Sequence, residues 1–307
     1  MSPQPLKPLL DGKTFQKQLG ELAITIALKV DREGPQQIPT PTFVTADISL
    51  LIRQTLNTYD LFFFLNADER RQKDTEYRAA YSAVSLPLIR CMIDCLYNIT
   101  VILTNPGLMA YRFRASGYRK ILENLDADEQ RYGGDPRWDD WIGRIRRFTQ
   151  TQLCNDGFTE AEVRQAKTWK TLSAYLMVKK GVSLTPHQEF LKTLTYGFWR
   201  EYSGMAHGAF EGLLVTGAFY VSKEISHELR ANIDTMLDNT ISIHLPRLSA
   251  ILLCILTEVQ VYFKFDGARI NQRLHQVWDA LRIVPEVEEL YTERYAELME
   301  KRGIRSD

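Results

Sequence analysis

The apolar positions of the chain recur at three- and four-residue spacing almost throughout, which is the period of one face of an α-helix. Residues 14–30, TFQKQLGELAITIALKV, carry one such stripe, and the breaker run DREGPQQIPTPT at 31–42 reads as a linker behind it. The pattern ISLLIRQTLNTYDLFFFL predicts a helix over 47–65, and a longer one follows over 74–103. Pro87 is expected to kink or split that longer helix, because proline has no backbone donor and its ring clashes with the preceding turn. Asn105-Pro106-Gly107 closes the segment, and an amphipathic stretch from Leu108 to Leu125 is expected to stop before the acidic run DADEQ.

Gly133-Gly134-Asp135-Pro136 is a turn, with Asp135 placed as an N-cap and Pro136 at the first helical position. The helix beyond it spaces Trp138, Trp141, Ile145 and Phe148 as one apolar face. After the break at Asn155-Asp156-Gly157, Thr159-x-x-Glu162 has the form of a capping box. Thr185-Pro186 opens a helix expected to reach Met205 or beyond, and 209–221 stays apolar. Residues 226–265 read as one long helix bent near Pro246. A shorter helix over 270–281 and a charged one over 286–300 complete the chain. There is no strand pair, no Asn-Gly hairpin and no internal repeat. The pattern therefore predicts an all-α fold, a helical bundle centred on 74–103, 187–221 and 226–265. It divides into an N-terminal extension (1–42), the bundle (43–265) and a C-terminal extension (266–307).

Composition narrows the function. The chain has 307 residues and a formal net charge of zero, so it lacks the overall basic field of a dedicated duplex-DNA binder, although a local basic patch remains open. Cys91, Cys95, Cys154 and Cys254 form no CxxC pair and read as reduced core thiols; Cys91 and Cys95 stand four apart in an apolar helical pattern. His187, His227, His244 and His275 have no metal-ligand spacing, so no metal is expected. No phosphate-binding glycine loop is present, so no cofactor is expected either. The N-terminus has no basic stretch leading into an apolar core. The most apolar run, 248–263, contains Glu258 and Gln260 and falls short of the ~20 residues a membrane span needs. The expectation is a cytoplasmic protein with no membrane partner.

The segment with the most chemical content is FWREYSGMAHGAFE, 198–211. On a helix, residues seven apart point almost the same way, so Arg200 and His207 share a face with Ser203 between them and Glu211 one turn beyond. Phe198, Tyr202, Met205 and Phe210 fall on the other face. Gly204, Ala206, Gly208, Ala209 and Gly212 keep the segment narrow, which suits close approach by another helix or a second subunit.

Arg200-x6-His207 resembles the Arg-x(4–6)-His motif of HEPN-domain proteins, all-helical modules found among prokaryotic toxin and antiphage ribonucleases. The apolar helix carrying Arg90 and Asp94, followed by Tyr202-Ser203-x3-His207-Gly208, is similar to a family of uncharacterised bacterial proteins allied to that group, over roughly residues 50–265. Glu201 stands where HEPN ribonucleases usually have Asn, Asp or His. The resemblance implies a metal-independent endoribonuclease, active as a homodimer, with RNA and a regulatory protein as its partners. Arg200, His207, Ser203 and Asp94 would be catalytic, and Glu211, Tyr202, Arg90, Arg144 and Arg147 would contact substrate.

Plainer readings stand beside this one. Arg200, Ser203, His207 and Glu211 also read as a structural polar network in a non-catalytic interaction or regulatory module. Arg90 and Asp94, four apart, also read as a mutual ion pair. The run RWDDWIGRIRRF (137–148), with Arg112, Arg114, Arg119 and Lys120 upstream, has the composition of a single-strand RNA platform. Its plainer form is an amphipathic helix with tryptophans in the core and arginines in solvent.

Overall fold

The stripe Phe15, Leu19, Leu22, Ile26 and Val30 is buried, and the helix it supports runs from Lys13 to Gln37 (α1). The computed structural model describes residues 13–39, 41–67, 75–167, 169, 190, 194, 202–203, 227–265 and 268–301. The run DREGPQQ does not end the helix as its composition suggests; Pro35 lies inside α1, two residues before its last, Gln37. Tertiary contact holds these turns. Asp31 accepts a hydrogen bond from Arg53 at 2.8 Å, and Gly34 sits so close to the next helix that a Cβ there would come within 2.8 Å of Thr45 Cγ2.

That next helix, α2 (Phe43–Ala67), returns antiparallel to α1. Its Tyr59 reaches Gln16 near the start of α1, while Arg53 meets Asp31 near its end. α3 (Thr75–Ile102) is continuous through Pro87. Of the kink or split expected there, the split does not occur, because α3 packs against α2, against the long helix described below and against its successor, and such packing outweighs the ~3 kcal/mol proline penalty.

α4 (Pro106–Tyr132) starts at Asn105, whose side chain accepts from the backbone N–H of Leu108. It continues past Leu125 through the acidic run. Asp126 takes Arg146 and Arg164, and Glu129 takes Arg146, so those acids are pairing positions rather than a stop. α5 (Pro136–Asn155) is capped by Asp135 and pairs with α4. Thr159 and Glu162 form the expected capping box, opening a helix of six residues, α6 (Glu160–Gln165). Phe190, Leu194, Tyr202 and Ser203 are each helical; the rest of 170–226 lies outside the described residues.

α7 (His227–Phe263) is the central element, packed on α1, α2 and α3, with Pro246 inside it. α8 (Ala268–Leu281) docks through Trp278, whose Nε1 donates to Thr257 at 3.0 Å. α9 (Pro285–Leu290), a π-helical turn (Tyr291–Tyr295) and α10 (Ala296–Lys301) follow without a break. The fold is all-α. The apolar run on α7 is longer than its sequence limits suggest: Ser242–Phe263 spans 22 residues at mean hydropathy 1.4, long and apolar enough to cross a membrane, as is Val84–Ile102 on α3. In this fold 89% of the first window and 61% of the second are buried within the bundle, so both serve as core helices.

Candidate functional site

Ser203 and Tyr202 are the described members of the 198–211 segment. Both are buried, Tyr202 completely. The expected apolar face is thus represented by a core tyrosine, and α7 supplies its partners. Tyr202 Oη lies 2.6 Å from His244 Nδ1 and accepts from Arg247 Nη1 at 3.2 Å. Arg247 also gives Nε and Nη2 to the Glu286 carboxylate of α9, each at 2.7 Å. Burial, and then the charge of Arg247, push the His244 imidazole down to about 4. The ring is therefore neutral at pH 7, and an acceptor Nδ1 lets Tyr202 donate to it while accepting from Arg247. Glu286 is held below the usual carboxylate range by the Arg247 hydrogen bonds.

Arg200, His207 and Glu211 lie outside the described residues. Asp94 and Arg90 make the i,i+4 ion pair on α3, with Asp94 about half exposed at 48%. Arg144 and Arg147 are both exposed on α5. Arg144 makes a 3.3 Å pair with Asp140, and Arg147 makes no ion pair among the described residues.

The apolar face of α5 is not where the sequence puts it. Ile142, Thr149 and Leu153 are the buried positions, whereas Trp138 (38%), Trp141 (39%) and Phe148 (64%) stand in solvent. The ring stripe lies roughly 100° round the helix from the packed line at its outer edge, so it flanks the core face without entering it. Trp138 stacks on Tyr132 with centroids 4.6 Å apart and meets Trp141 edge-on at 5.9 Å. Two of the four cations upstream on α4 are committed elsewhere, while Arg112 and Lys120 are exposed. Arg114 binds Asp47 with two nitrogens (2.6 and 3.2 Å) and also Asp156. Arg119 pairs with Glu123 and donates to the Ala166 carbonyl.

Two further polar groups are built into the core. Arg294, from the π-helical turn, donates to both Glu258 oxygens of α7, the longer contact being 2.9 Å, and its guanidinium lies 4.7 Å over the Phe190 ring. All four cysteines are unpaired; Cys95 and Cys254 are buried as expected, but Cys91 is exposed, as is Cys154. Burial pushes the Cys95 thiol up to about 11, so it is unreactive at neutral pH. Among the described residues no cluster of His, Cys, Asp or Glu has the form of a metal site.

The sequence reading missed the Tyr202–His244–Arg247–Glu286 network. Its trace is His244 and Arg247, three apart at the head of the apolar run of α7, where unpaired polar groups are costly. Glu286, forty residues on, has no such trace. Comparison with protein-family models, with curated proteins and with solved structures finds no match to the chain.

Proposed function

We propose that this chain is a metal-independent endoribonuclease of the bacterial toxin or antiphage-defence type, cytoplasmic and acting as a homodimer. The observation that carries the proposal is the polar register Arg200, Ser203, His207, Glu211. Full burial of Tyr202 on the opposite flank fits that register, while Ser203, on the register itself, is also buried, so at that position the polar line meets protein and not bulk solvent. The substrate's 2′-hydroxyl oxygen bonds to the adjacent phosphorus as its proton passes to His207, whose ordinary pKa suits exchange near pH 7. The P–O5′ bond breaks, and the leaving oxygen takes a proton from the second copy's imidazolium. Arg200 spreads its planar fork over the charge that builds on the phosphoryl oxygens. Ser203 holds the tautomer of the histidine, and Glu211 orients the ring.

The buried Tyr202–His244–Arg247–Glu286 network favours a second reading, a non-catalytic interaction module in which the 198–211 segment is structural. Single-stranded RNA incubated with the protein in chelator separates the two. The nuclease reading expects cleavage by the wild type, and a loss on the order of 10²–10⁴-fold in His207→Ala at unchanged helicity. Equal rates for the two proteins would sink it.

A further inference from the structure

The four positions Arg137, Trp141, Arg144 and Phe148 follow one another at spacings of four, three and four along α5. Those are the spacings of adjacent residues on one helix surface, so cation and ring alternate in a single line about 16 Å long. All four are in solvent: the Arg137 side chain is 84% exposed and that of Arg144 64%, with Phe148 at 64% and Trp141 at 39%. At the N-terminal end the line joins the Tyr132–Trp138 stack, over which Arg131 sits at 5.9 Å from the Tyr132 ring.

We infer that this line is a binding surface for single-stranded nucleic acid, and that the strand lies along α5 with bases on Trp141 and Phe148 and phosphates at Arg137 and Arg144. That the strand is RNA rests on the nuclease reading above. Ring faces take any base, and arginines between them meet the backbone, which is how sequence-tolerant single-strand sites are built. Charge supports the occupant. In a chain of zero net charge, α5 carries four arginines against Asp139 and Asp140. Asp140, the partner of Arg144, is 73% exposed and 3.3 Å away, so that pair is weak and phosphate exchanges into it readily. Arg137 is held by both Asp135 oxygens and meets phosphate from its open side, its side chain being 84% exposed. Arg146 is excluded from the line because it bridges Asp126 and Glu129. Arg147, adjacent to Phe148 in sequence, points round the helix away from the ring stripe.

The test uses the full chain and a fluorescein-labelled 2′-O-methyl oligouridylate, which the cleavage chemistry above cannot cut. Anisotropy titration of the wild type is expected to show salt-dependent binding that duplex competitor does not displace. Trp141→Ala and Phe148→Ala are each expected to weaken it on the order of tenfold. Arg144→Gln is expected to lower the slope of log affinity against log salt by about 0.7. Far-UV circular dichroism confirms folding, which the exposure of both rings protects. The inference is overturned if the wild type does not bind, if both ring variants bind as the wild type does, or if Phe148→Ala instead converts a dimer to a monomer, which would assign the face to a second copy. Ring-dependent binding without RNA cleavage would remove the nuclease and leave this surface. Cleavage indifferent to the rings would do the reverse.

Discussion

At the scale of single residues, the polar groups of α7 set how the protein responds to acid. His244 titrates at 6.5 in an open chain and at about 4 in the fold, so on acidification the unfolded state takes the proton first. The stability tied to it is fully present above pH 6.5 and is lost as pH falls toward 4. That amounts to about 2 kcal/mol between pH 7 and 5. Glu286, depressed by Arg247, loses its contribution in the same direction lower on the scale. Asp47 opposes both, since desolvation raises it above its ordinary value despite Arg114. Urea unfolding of His244→Asn, whose side-chain carbonyl still accepts from Tyr202, is expected to show that much less loss between pH 7 and 5 than the wild type. A parallel pH dependence would contradict a neutral buried ring. Glu258 makes the sharper case. Its side chain is 6% exposed against 16% for Arg294, and Glu258→Gln leaves a buried guanidinium without its counter-charge. A loss of roughly 3–5 kcal/mol in unfolding free energy is expected; a change below about 1 kcal/mol would show that water reaches the pair.

At the scale of elements, much of the architecture was legible and its failures share one cause. Asn105, Asp135 and Thr159 were readable as helix starts because capping is local chemistry between residues two or three apart. The continuation of α1 through Pro35 and of α4 through its acidic run was not, because each depends on a partner helix distant in sequence; at Pro87 the pattern gave the helix but left a kink or a split open. The same holds for the candidate site. Its polar spacing can be counted along the chain, but the His244 and Glu286 partners of the Tyr202 cluster come from helices 42 and more residues away. On α5, rings and core positions share nearly the same period, so spacing alone could not say which line faced inward. Gly34 tests the helix-contact argument. Alanine there gains about 1 kcal/mol of helix propensity but meets Thr45 Cγ2, so Gly34→Ala is expected to lower stability by about 1–2 kcal/mol. In a Thr45→Ser background the same change is expected to be neutral or stabilising. A stabilising Gly34→Ala in the wild type would show that α1 and α2 approach less closely.

At the scale of the molecule, the RNA proposal rests on two features: the Arg200–His207 register in the sequence, and the exposed line of arginines and rings on α5. Neither needs a bound metal, and a neutral chain with a local basic stripe suits a strand held at one place better than a duplex held along its length. In the proposed nuclease a second copy supplies the second imidazole, so that reading expects activity to rise more steeply than linearly with protein concentration near the dimer dissociation constant. The central claim is that the 2′-hydroxyl is the nucleophile, and the product ends report on it directly. Wild-type protein in chelator, given an oligoribonucleotide and its 2′-deoxy counterpart, is predicted to cut only the ribose strand. It should leave a 2′,3′-cyclic phosphate on the 5′ fragment, and His207→Ala should leave both strands intact. Fragments ending in a 3′-hydroxyl, cleavage of the deoxy strand, or an uncut ribose strand with the wild type would contradict the account.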